Sequence, residues 1–297
     1  MAIGLITYQD TTRKEDVVDL ITNVDFKNTP LLSGLAESSA KNTLHEWLID
    51  DFADSAANVA IESSDAVVVD LVQPTRVNNV VQMFRKVITV SDTERAVSVY
   101  GQSDPYTYQM QKKMTELARD IEKALMAGTR ASGASGVARS LDGVIAQITT
   151  NATARTSGTS LTETEFNDIM AGVWNSGTDQ YADEVYVGSY IKRVISGFTA
   201  GATKFDKSED KRLTNAVDVY EGDFGVHKIF LHREVPASTL VALDSSKWRV
   251  AYLQGRRPKH VPLSKTGSST KGMLEGELTL EGLNQASSAK RSGYFVG

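Results

Sequence analysis

Residues 104–128 read DPYTYQMQKKMTELARDIEKALMAG and contain the strongest structural signal in the sequence. Asp104 suits the N-cap of a helix and Pro105 its first helical position. Apolar side chains then recur at spacings of three and four, which predicts a helix of about 23 residues, roughly 35 Å long, with one apolar stripe. Gly128 is predicted to end the helix as its C′ residue. The stripe consists of Tyr106, Met110, Met114, Leu117, Ile121 and Leu125.

The other positions of this helix are charged, which is typical of a helix with one face in water. A helix with this pattern is ordinarily a structural beam that lies on a core, and the sequence predicts that role rather than a reactive site. The charged positions are Glu116, Arg119, Asp120, Glu122 and Lys123.

Ahead of the helix, residues 41–92 have the pattern of a long β-hairpin with a polar tip. The acidic, small-residue stretch 50–58 is too polar for a core and interrupts runs of β-forming residues. A hairpin alone is marginal in water, so this one is expected to need a partner surface. Residues 1–40 mix polar turns with short apolar pieces and predict an arm with a short helix. The predicted strands are 44–49, 67–72 and 80–90.

Behind the helix, the sequence contains both strand and helix signals. Residues 129–160 are rich in Gly, Ser, Thr and Ala and predict loops. Thr162 and Glu165 form a capping box that opens a helix through Trp174. Alternation of leucine or glycine with polar residues over 274–281 predicts a half-buried strand. Further predicted elements are a strand at 184–187, a helix at 190–198, a charged surface loop at 204–212, and strands at 217–220, 228–231 and 240–243.

The composition describes a folded chain that is a poor nucleic-acid binder. The 297 residues are 41% hydrophobic, and the formal net charge of −5 opposes binding by phosphate neutralisation. The absence of cysteine excludes disulfides and thiolate chemistry. We expect neither a signal peptide nor a membrane span, because no run approaches the ~20 apolar residues that a span needs.

The sequence has no convincing catalytic or metal-binding pattern. The histidines lack the ligand spacing of a metal site, and solvated or core positions are the simpler interpretation. Asp50, Asp51 and Asp54 could bind a divalent cation, but they lack the spacing of a calcium loop and more simply keep a hairpin tip solvated. Asp223-Phe224-Gly225 matches a kinase tripeptide without the rest of the kinase motifs. The histidines are His45, His227, His232 and His260.

We therefore predict no enzyme activity, no cofactor and no metal, which favours a structural or interaction protein. The basic cluster at Arg256 and Arg257 has two readings. It could contact a phosphate, or it could belong to a solvated loop that forms salt bridges between subunits.

Short motifs follow one another in a fixed order between residues 30 and 284. They read RVNN (76–79), VITVS (87–91), LARDIEKAL (117–125), VYEGDFG (219–225), WRVA (248–251), PLSKTG (262–267) and GELTLE (276–281). In this order the chain resembles the major capsid proteins of tailed bacteriophages, which have the Hong Kong 97-type fold. No single motif is diagnostic of that family, but the ordered set is fairly specific.

The resemblance implies an α+β Hong Kong 97-like fold in which each segment has a part. The predicted beam becomes the spine helix of a peripheral domain, and the hairpin becomes the extended loop. The implied parts are an N-terminal arm (1–40), the extended loop (41–92), the peripheral domain (93–159 and 263–297, with the spine helix at 104–128) and the axial domain (160–262).

The resemblance also implies a function: self-assembly into an icosahedral or prolate shell that encloses double-stranded DNA without sequence-specific binding. The implied partners are further copies in pentamers and hexamers, a portal protein and a separate scaffolding protein, with a decoration protein left open. Assembly in the cytoplasm of the bacterial host and a place in the virion capsid follow. No lysine–asparagine cross-link is predicted.

Six residues are candidates for contacts between subunits, and burial within their own subunit is the alternative for the apolar ones. The rival functions are a cellular nanocompartment shell of the encapsulin type and, less consistent with the sequence, a soluble enzyme using Asp50, Asp51 and Asp54. An adhesion or tail protein is disfavoured by the long helix. The contact candidates are Trp47, Phe52, Met83, Phe84, Arg256 and Arg257.

Overall fold

The computed structural model describes residues 29–53, 55–63, 65, 71–97, 104–155, 159–176, 181–198 and 218–294. The predicted 67–72 strand falls partly, and the 204–212 loop entirely, outside these ranges. The helices are α1 Pro30–Gly34, α2 Asp92–Ala96, α3 Pro105–Ala127, α4 Val144–Gln147, α5 Glu163–Asn175 and α6 Ser189–Ser196. The strands are β1 Ala36–Ala40, β2 Leu44–Ile49, β3 Thr75–Val80, β4 Gln82–Ser91, β5 Asn151–Ala154, β6 Glu184–Val187, β7 Val219–Gly222, β8 Gly225–Leu231, β9 Leu240–Leu243, β10 Trp248–Leu253, β11 Lys259–Leu263, β12 Ser269–Gly282 and β13 Ala289–Ser292.

The predicted long helix is confirmed as α3, which begins as expected and ends for a different reason. The Asp104 carboxylate caps it by accepting from the Tyr106 backbone N–H at 3.3 Å. Gly128 does follow the last turn, but its φ of −60° is not the left-handed conformation expected of a C′ glycine. A Cβ there would collide with the carbonyl oxygen of Ala124 and lie 2.8 Å from that of Leu141. Glycine is therefore required by close packing rather than by backbone conformation.

The predicted faces of α3 need two corrections. Leu117, Ile121 and Leu125 are buried in the core as expected, but Met114 is exposed, so the core covers the stripe fully only from Leu117 onward. Glu122 was placed on the solvent face, yet it is buried. It is covered because α1 packs against α3 at this point and the chain after β8 contributes His232.

A five-stranded sheet packs against α3, and β12 is its central strand. Strand β4 pairs along one side of β12, while β10 and β11 pair along the other side, all antiparallel. The parallel strand β1 extends the sheet beyond β10. Side chains on one face of β4 and β12, including Phe84, Ile88, Leu274 and Leu278, join Leu117 of α3 in one hydrophobic core.

Strand β12 was predicted to be half-buried, but its polar face is buried as well in its C-terminal half. Glu277, Thr279 and Glu281 are all less than 9% exposed. Each has a specific partner that covers it: Arg256 for Glu277, the Val80 carbonyl for Thr279, and the Ser38 hydroxyl for Glu281. The prediction failed because the alternation in the sequence shows only which residues are polar. Partners from distant segments determine which of these polar side chains are buried.

A six-stranded sheet in the order β5-β13-β9-β6-β8-β7 forms the second layer. Alternate side chains of its central strands enter two different cores. Val185 and Ala242 pack with helices α5 and α6, whereas Tyr186 and Val241 pack with the core beneath α3. The sheet therefore links the two halves of the molecule.

The two sheets combine segments that the predicted domain ranges keep apart. The α3 sheet contains β1 from the predicted arm, β4 from the predicted loop, and β10 from the predicted axial range. The other sheet contains β5 and β13 from the predicted peripheral ranges. How these ranges divide into functional domains stays a prediction.

Candidate assembly surfaces

The segment predicted as the extended loop contains a narrow two-stranded hairpin, the loop (residues 44–80), which lies outside both larger sheets. Its strands β2 and β3 pair antiparallel, from Leu44 opposite Val80 to Ile49 opposite Thr75. The described residues between the strands form no helix or strand, and all of them are exposed. Large apolar side chains that are exposed to solvent mark an interaction surface when they cluster. Those of the loop are Leu44, Leu48, Phe52, Val59, Ile61, Leu71 and Val72.

The loop is also acidic throughout. Its sequence contains neither lysine nor arginine between Lys41 and Arg76. Its carboxylates are Glu46, Asp50, Asp51, Asp54, Glu62, Asp65 and Asp70. The loop therefore offers a partner an apolar surface with a negative charge.

The base of the loop is fixed to the end of β12. Trp47 is buried, and its indole Nε1 donates to the Gly282 carbonyl at 3.0 Å. Asn79 donates to the Leu280 carbonyl at 2.8 Å and accepts from the Asp142 N–H at 2.9 Å. These contacts set the direction in which the loop projects.

An ionisable pair also lies at this base. Nε2 of His45 is 3.9 Å from Oε2 of Glu281, which is ion-pair range but too long for a hydrogen bond. The His45 ring and the Ser38 hydroxyl, which donates at 2.6 Å, hold the pKa of the Glu281 carboxyl below its usual value. Glu281 therefore remains a carboxylate at neutral pH.

The second surface is the face of the α3 sheet that points away from α3. On this face, apolar residues that lie opposite one another in the strand register form a central row across β11, β12 and β4. Met83, Val87 and Leu263 are exposed on the same face. The neighbouring row contains Lys259, Glu275 and Arg85, so a basic residue lies opposite Glu275 on each side. The apolar row consists of Val261, Met273 and Val87.

The structure divides the apolar contact candidates into two groups. Phe52 and Met83 are exposed and free to contact a neighbour. Trp47 and Phe84 are buried within their own subunit, which was the alternative for each. Both point inward because the register of β2 and β4 turns them toward β12 and α3. Val87, missed among the candidates, could have been found from its alternation with Phe84 and Ile88.

The two arginine candidates differ in the same way. Arg256 bonds Glu275 at 2.8 Å and Glu277 at 2.9 Å, so it neutralises carboxylates of its own chain. Arg257 is exposed, pairs with Glu37, and places its guanidinium 4.7 Å from the centre of the Tyr252 ring. Of the two, Arg257 has more surface left for a partner.

The histidines serve as buried or bridging groups. Nδ1 of His227 donates to the Ala182 carbonyl, and burial lowers the pKa of His227 below its usual value. His260 bonds the Tyr106 hydroxyl at 2.8 Å, and His232 bonds Glu122 at 2.7 Å.

In the part of the chain that the structure describes, no group of three metal-type side chains comes together. Within the same ranges, no helix is both long and apolar enough to cross a membrane.

Solved structures identify the class of this architecture. The capsid of a native GTA particle matches with a TM-score of 0.70 and 12% identity over 98% of this chain and 97% of that one. The SrpI encapsulin complex of Synechococcus elongatus PCC 7942 matches with a TM-score of 0.59 and 9% identity over 99% and 97%. The fold is therefore the Hong Kong 97-like capsid fold, as predicted.

Sequence comparison identifies the family within that class. The model of the SU10 major capsid protein family matches residues 5–294. The major capsid protein of Escherichia phage Phieco32 is 24% identical over 333 residues, which cover 94% of each chain. The chain belongs to the SU10 major capsid protein family and is a tailed-phage major capsid protein. The predicted family is confirmed, and the encapsulin is a relative in fold.

Proposed function

We propose that this chain closes its shell by laying the acidic, apolar extended loop of one copy on the outward sheet face of the next. The observation that carries the proposal is the complementarity of these two surfaces. The loop exposes Phe52 and Ile61 among carboxylates, and the face exposes Met83 and Val87 beside basic groups.

The energetics of this contact favour association without making it irreversible. Burying exposed apolar surface is worth roughly 25 cal/mol per Å², and part of that gain offsets the cost of ordering the loop. Charge complementarity adds mainly to the association rate and to the selection of the correct partner. Modest contacts of this kind allow wrongly placed subunits to leave, and a closed shell multiplies the correct ones.

The experiment changes the sheet face without touching the core. Val87→Asp adds a carboxylate to an exposed position that would face the acidic loop, so the purified protein should fail to form shells in negative-stain electron microscopy. Val137→Asp makes the same change at an exposed valine of the Ala134–Val137 turn and should assemble normally. Normal shells from a folded Val87→Asp variant would overturn the proposal.

The structure also supports a proposed division into domains. The peripheral domain would be the α3 sheet with α3, and the axial domain would be the six-stranded sheet with α5 and α6. Axial domains would meet at the centres of pentamers and hexamers, and the arm would lie across a further subunit. The support is that each sheet has its own hydrophobic core on at least one face.

The remaining parts of the proposal concern partners and location. Assembly would take place in the host cytoplasm with a portal and a separate scaffolding protein, and a decoration protein would be an optional addition to the icosahedral or prolate shell. The shell would enclose double-stranded DNA without sequence-specific contacts, which agrees with the net charge of −5. The chain would catalyse no reaction, in keeping with a structural capsid family.

A further inference from the structure

Within the described part of the chain, strand β4 pairs with β12 along one of its two edges only. The Glu277 N–H donates to the Arg256 carbonyl at 2.8 Å, so odd-numbered residues of β12 point their backbone groups toward β10 and β11. Even-numbered residues of β12 therefore point toward β4, where they lie opposite even-numbered residues. The odd-numbered residues of β4 then direct their N–H and C=O groups away from the sheet, along what we call the free edge of β4. The residues of this free edge are Met83, Arg85, Val87, Thr89 and Ser91.

The free edge of β4 is long and regular. The register with β12 runs through all ten residues of β4 without a bulge, so the edge extends over about 33 Å. Natural proteins often protect such an edge with proline, and β11 of the same sheet is protected in this way. Pro262 points away from β12 there and has no N–H to offer a further strand. Strand β4 contains no proline, so its free edge is a template to which another strand can add.

Strand β2 of the loop has a free edge of its own. The Val81 N–H donates to the Thr43 carbonyl at 2.8 Å, and this pair continues the register in which odd-numbered residues of β2 bond to β3. The even-numbered residues of β2 direct their backbone groups away from β3, and their side chains are all exposed. Glu46 lies 3.6 Å from Arg76 in a pair of exposed side chains, which contributes little to stability. The residues of this edge are Leu44, Glu46 and Leu48.

We propose that strand β2 of one copy pairs antiparallel with the free edge of β4 in the next copy, with Glu46 opposite Arg85. A strand that adds to a sheet edge gains main-chain hydrogen bonds, and its side chains provide the specificity. The pairing rests on the proposed function, because it specifies how the loop of one copy is held beside the sheet face of the next. The facing pairs are Leu44 with Val87, Glu46 with Arg85, and Leu48 with Met83.

The side chains select this register over its neighbours. It places one pair of opposite charges between two apolar pairs, and facing residues of a sheet lie on the same face, where such pairs stabilise the sheet. A shift of the register by one pair in either direction would place Glu46 opposite Met83 or Val87. The same shift would place a leucine opposite Arg85, so both the charge pair and an apolar pair would be lost.

Paired cysteines test the register, because the chain contains no cysteine of its own. The Cα atoms of a hydrogen-bonded antiparallel pair lie about 5.5 Å apart, which a disulfide can span. Oxidised shells of the Leu44→Cys, Val87→Cys double variant should therefore give a ladder of covalent oligomers on a non-reducing denaturing gel. A bridge within one chain is excluded, since Leu44 lies opposite Val80 of its own chain, about 23 Å along the strand from Val87.

The matched control moves one cysteine out of register. Leu48→Cys with Val87→Cys also joins two exposed positions, but the proposed pairing separates them by about 13 Å along the strands. Its cross-linking should be slower by about tenfold or more, because a disulfide cannot span that distance. Equal cross-linking of the two variants, or none in the Leu44→Cys, Val87→Cys variant, would overturn the proposal and leave the edge of β4 to another partner.

A charge exchange tests the same pairing without cysteine. Glu46→Arg and Arg85→Glu should each lower the yield of shells by about tenfold or more, since each sets like charges opposite one another in every copy of the contact. Together they restore an opposite-charge pair and should return the yield to within about threefold of that of the unchanged protein. Glu46→Arg with Lys259→Glu is the control, because it has the same net charge and changes β11 instead of β4. That combination should not restore the yield.

The outcomes separate this pairing from the proposed function. Equal restoration by Arg85→Glu and by Lys259→Glu would show a general attraction between loop and face, which contradicts the pairing and agrees with the proposed function. Normal shells from the Val87→Asp variant would contradict the proposed function, whereas the cysteine pairs decide on the pairing. Thermal unfolding identifies a charge variant that does not fold, and in that case the cross-linking result decides.

Discussion

Single polar side chains decide where distant segments of this chain meet. Asn79 joins the loop base to β12, Glu122 joins α1 to the spine helix, and Glu277 joins the turn after β10 to the sheet. Each is buried and hydrogen-bonded, as buried polar groups must be to avoid a large desolvation cost. Loss of any one would leave a partner unsatisfied.

Trp47 gives the most direct test of how much a single buried side chain contributes to stability. Trp47→Phe should lower the free energy of unfolding by about 1 kcal/mol through loss of the bond to the Gly282 carbonyl. Trp47→Ala should lower it by about 3–5 kcal/mol through loss of packing as well. Urea denaturation measures both, and Trp174→Phe at an exposed tryptophan should change stability by less than about 0.5 kcal/mol. Equal effects at the two tryptophans would contradict the assignment of Trp47 to the fold.

His227 should make the six-stranded sheet sensitive to acid. Burial lowers its folded-state pKa, so the folded chain binds the proton less readily than the unfolded chain, whose histidine pKa is about 6.5. Stability is therefore complete above about pH 6.5 and falls below it, by at most about 1.4 kcal/mol per pH unit from this group.

The measurement compares urea unfolding at pH 7.5, 6.0 and 5.0 with that of His227→Gln. The variant should lose less stability over this range than the unchanged chain does. Identical pH slopes in the two proteins would remove His227 as a cause of acid sensitivity.

Residue-scale contacts were the least predictable from the sequence. Glu122 occupies a position that helical periodicity assigns to solvent, and its partners Leu31 and His232 are 91 and 110 positions away. Periodicity describes one element at a time, so it cannot show which distant segment covers a given charge. Trp47 and Phe84 were recognised as anchors, but the sequence left open whether the subunit itself or a neighbour covers them.

At the scale of elements, glycines set how closely the spine helix approaches its neighbours. A Cβ on Gly143 would lie 2.6 Å from the Gly128 nitrogen and 2.8 Å from the Ala124 carbonyl oxygen. Both are backbone atoms and cannot move aside as a flexible side chain can. The last turn of α3 and the start of α4 can therefore meet only through glycine.

Gly143→Ala should destabilise the protein by about 1–3 kcal/mol or more, because overlap with backbone forces the two helices apart. Gly172→Ala is the matched control, since Gly172 lies in α5 and a Cβ there meets nothing within 4 Å. That change should stabilise the protein by about 0.5–1 kcal/mol, as alanine is the better helix former. Thermal unfolding measures both, and a neutral Gly143→Ala would show that this contact is loose.

Elements with a strong local pattern were predictable, and those whose pattern depends on partners were not. Helix α3 was predicted from its capping residues and apolar spacing to within a residue at either end, whereas alternation predicted only residues 274–281 of the longer strand β12. Strand β3 was missed because Asn78 and Asn79 are poor strand formers, and its strand partner, β2, lies about 30 residues earlier in the sequence. The overall fold was predicted from the order of the motifs along the chain and not from any single element.

At the scale of the whole molecule, the charges of the loop and the sheet face predict a salt dependence of assembly. Attraction between exposed charges is screened beyond ~8 Å at physiological ionic strength and more strongly at higher salt. Raising sodium chloride from 50 to 500 mM should slow shell formation, as followed by light scattering, by about tenfold or more. An acceleration by salt would instead indicate an apolar contact opposed by charge repulsion.

The same contact predicts how complementary defects behave when mixed. The loop-to-face contact is heterologous, so each copy in a closed ring must both give a loop and receive one. One variant would replace residues 50–74 by Asn-Gly, which joins the paired ends Ile49 and Thr75 in a tight turn and leaves the sheet face intact. The other would be Val87→Asp, which keeps an intact loop but has a sheet face that should not bind the loop of a neighbour. Neither should form shells alone, and a mixture should form pairs but no rings, because the pair exposes no further functional loop and face that fit each other. Sedimentation velocity distinguishes the two results: a heterodimer as the largest species supports the contact, whereas capsomer-sized rings in the mixture would show that the subunits close through another surface.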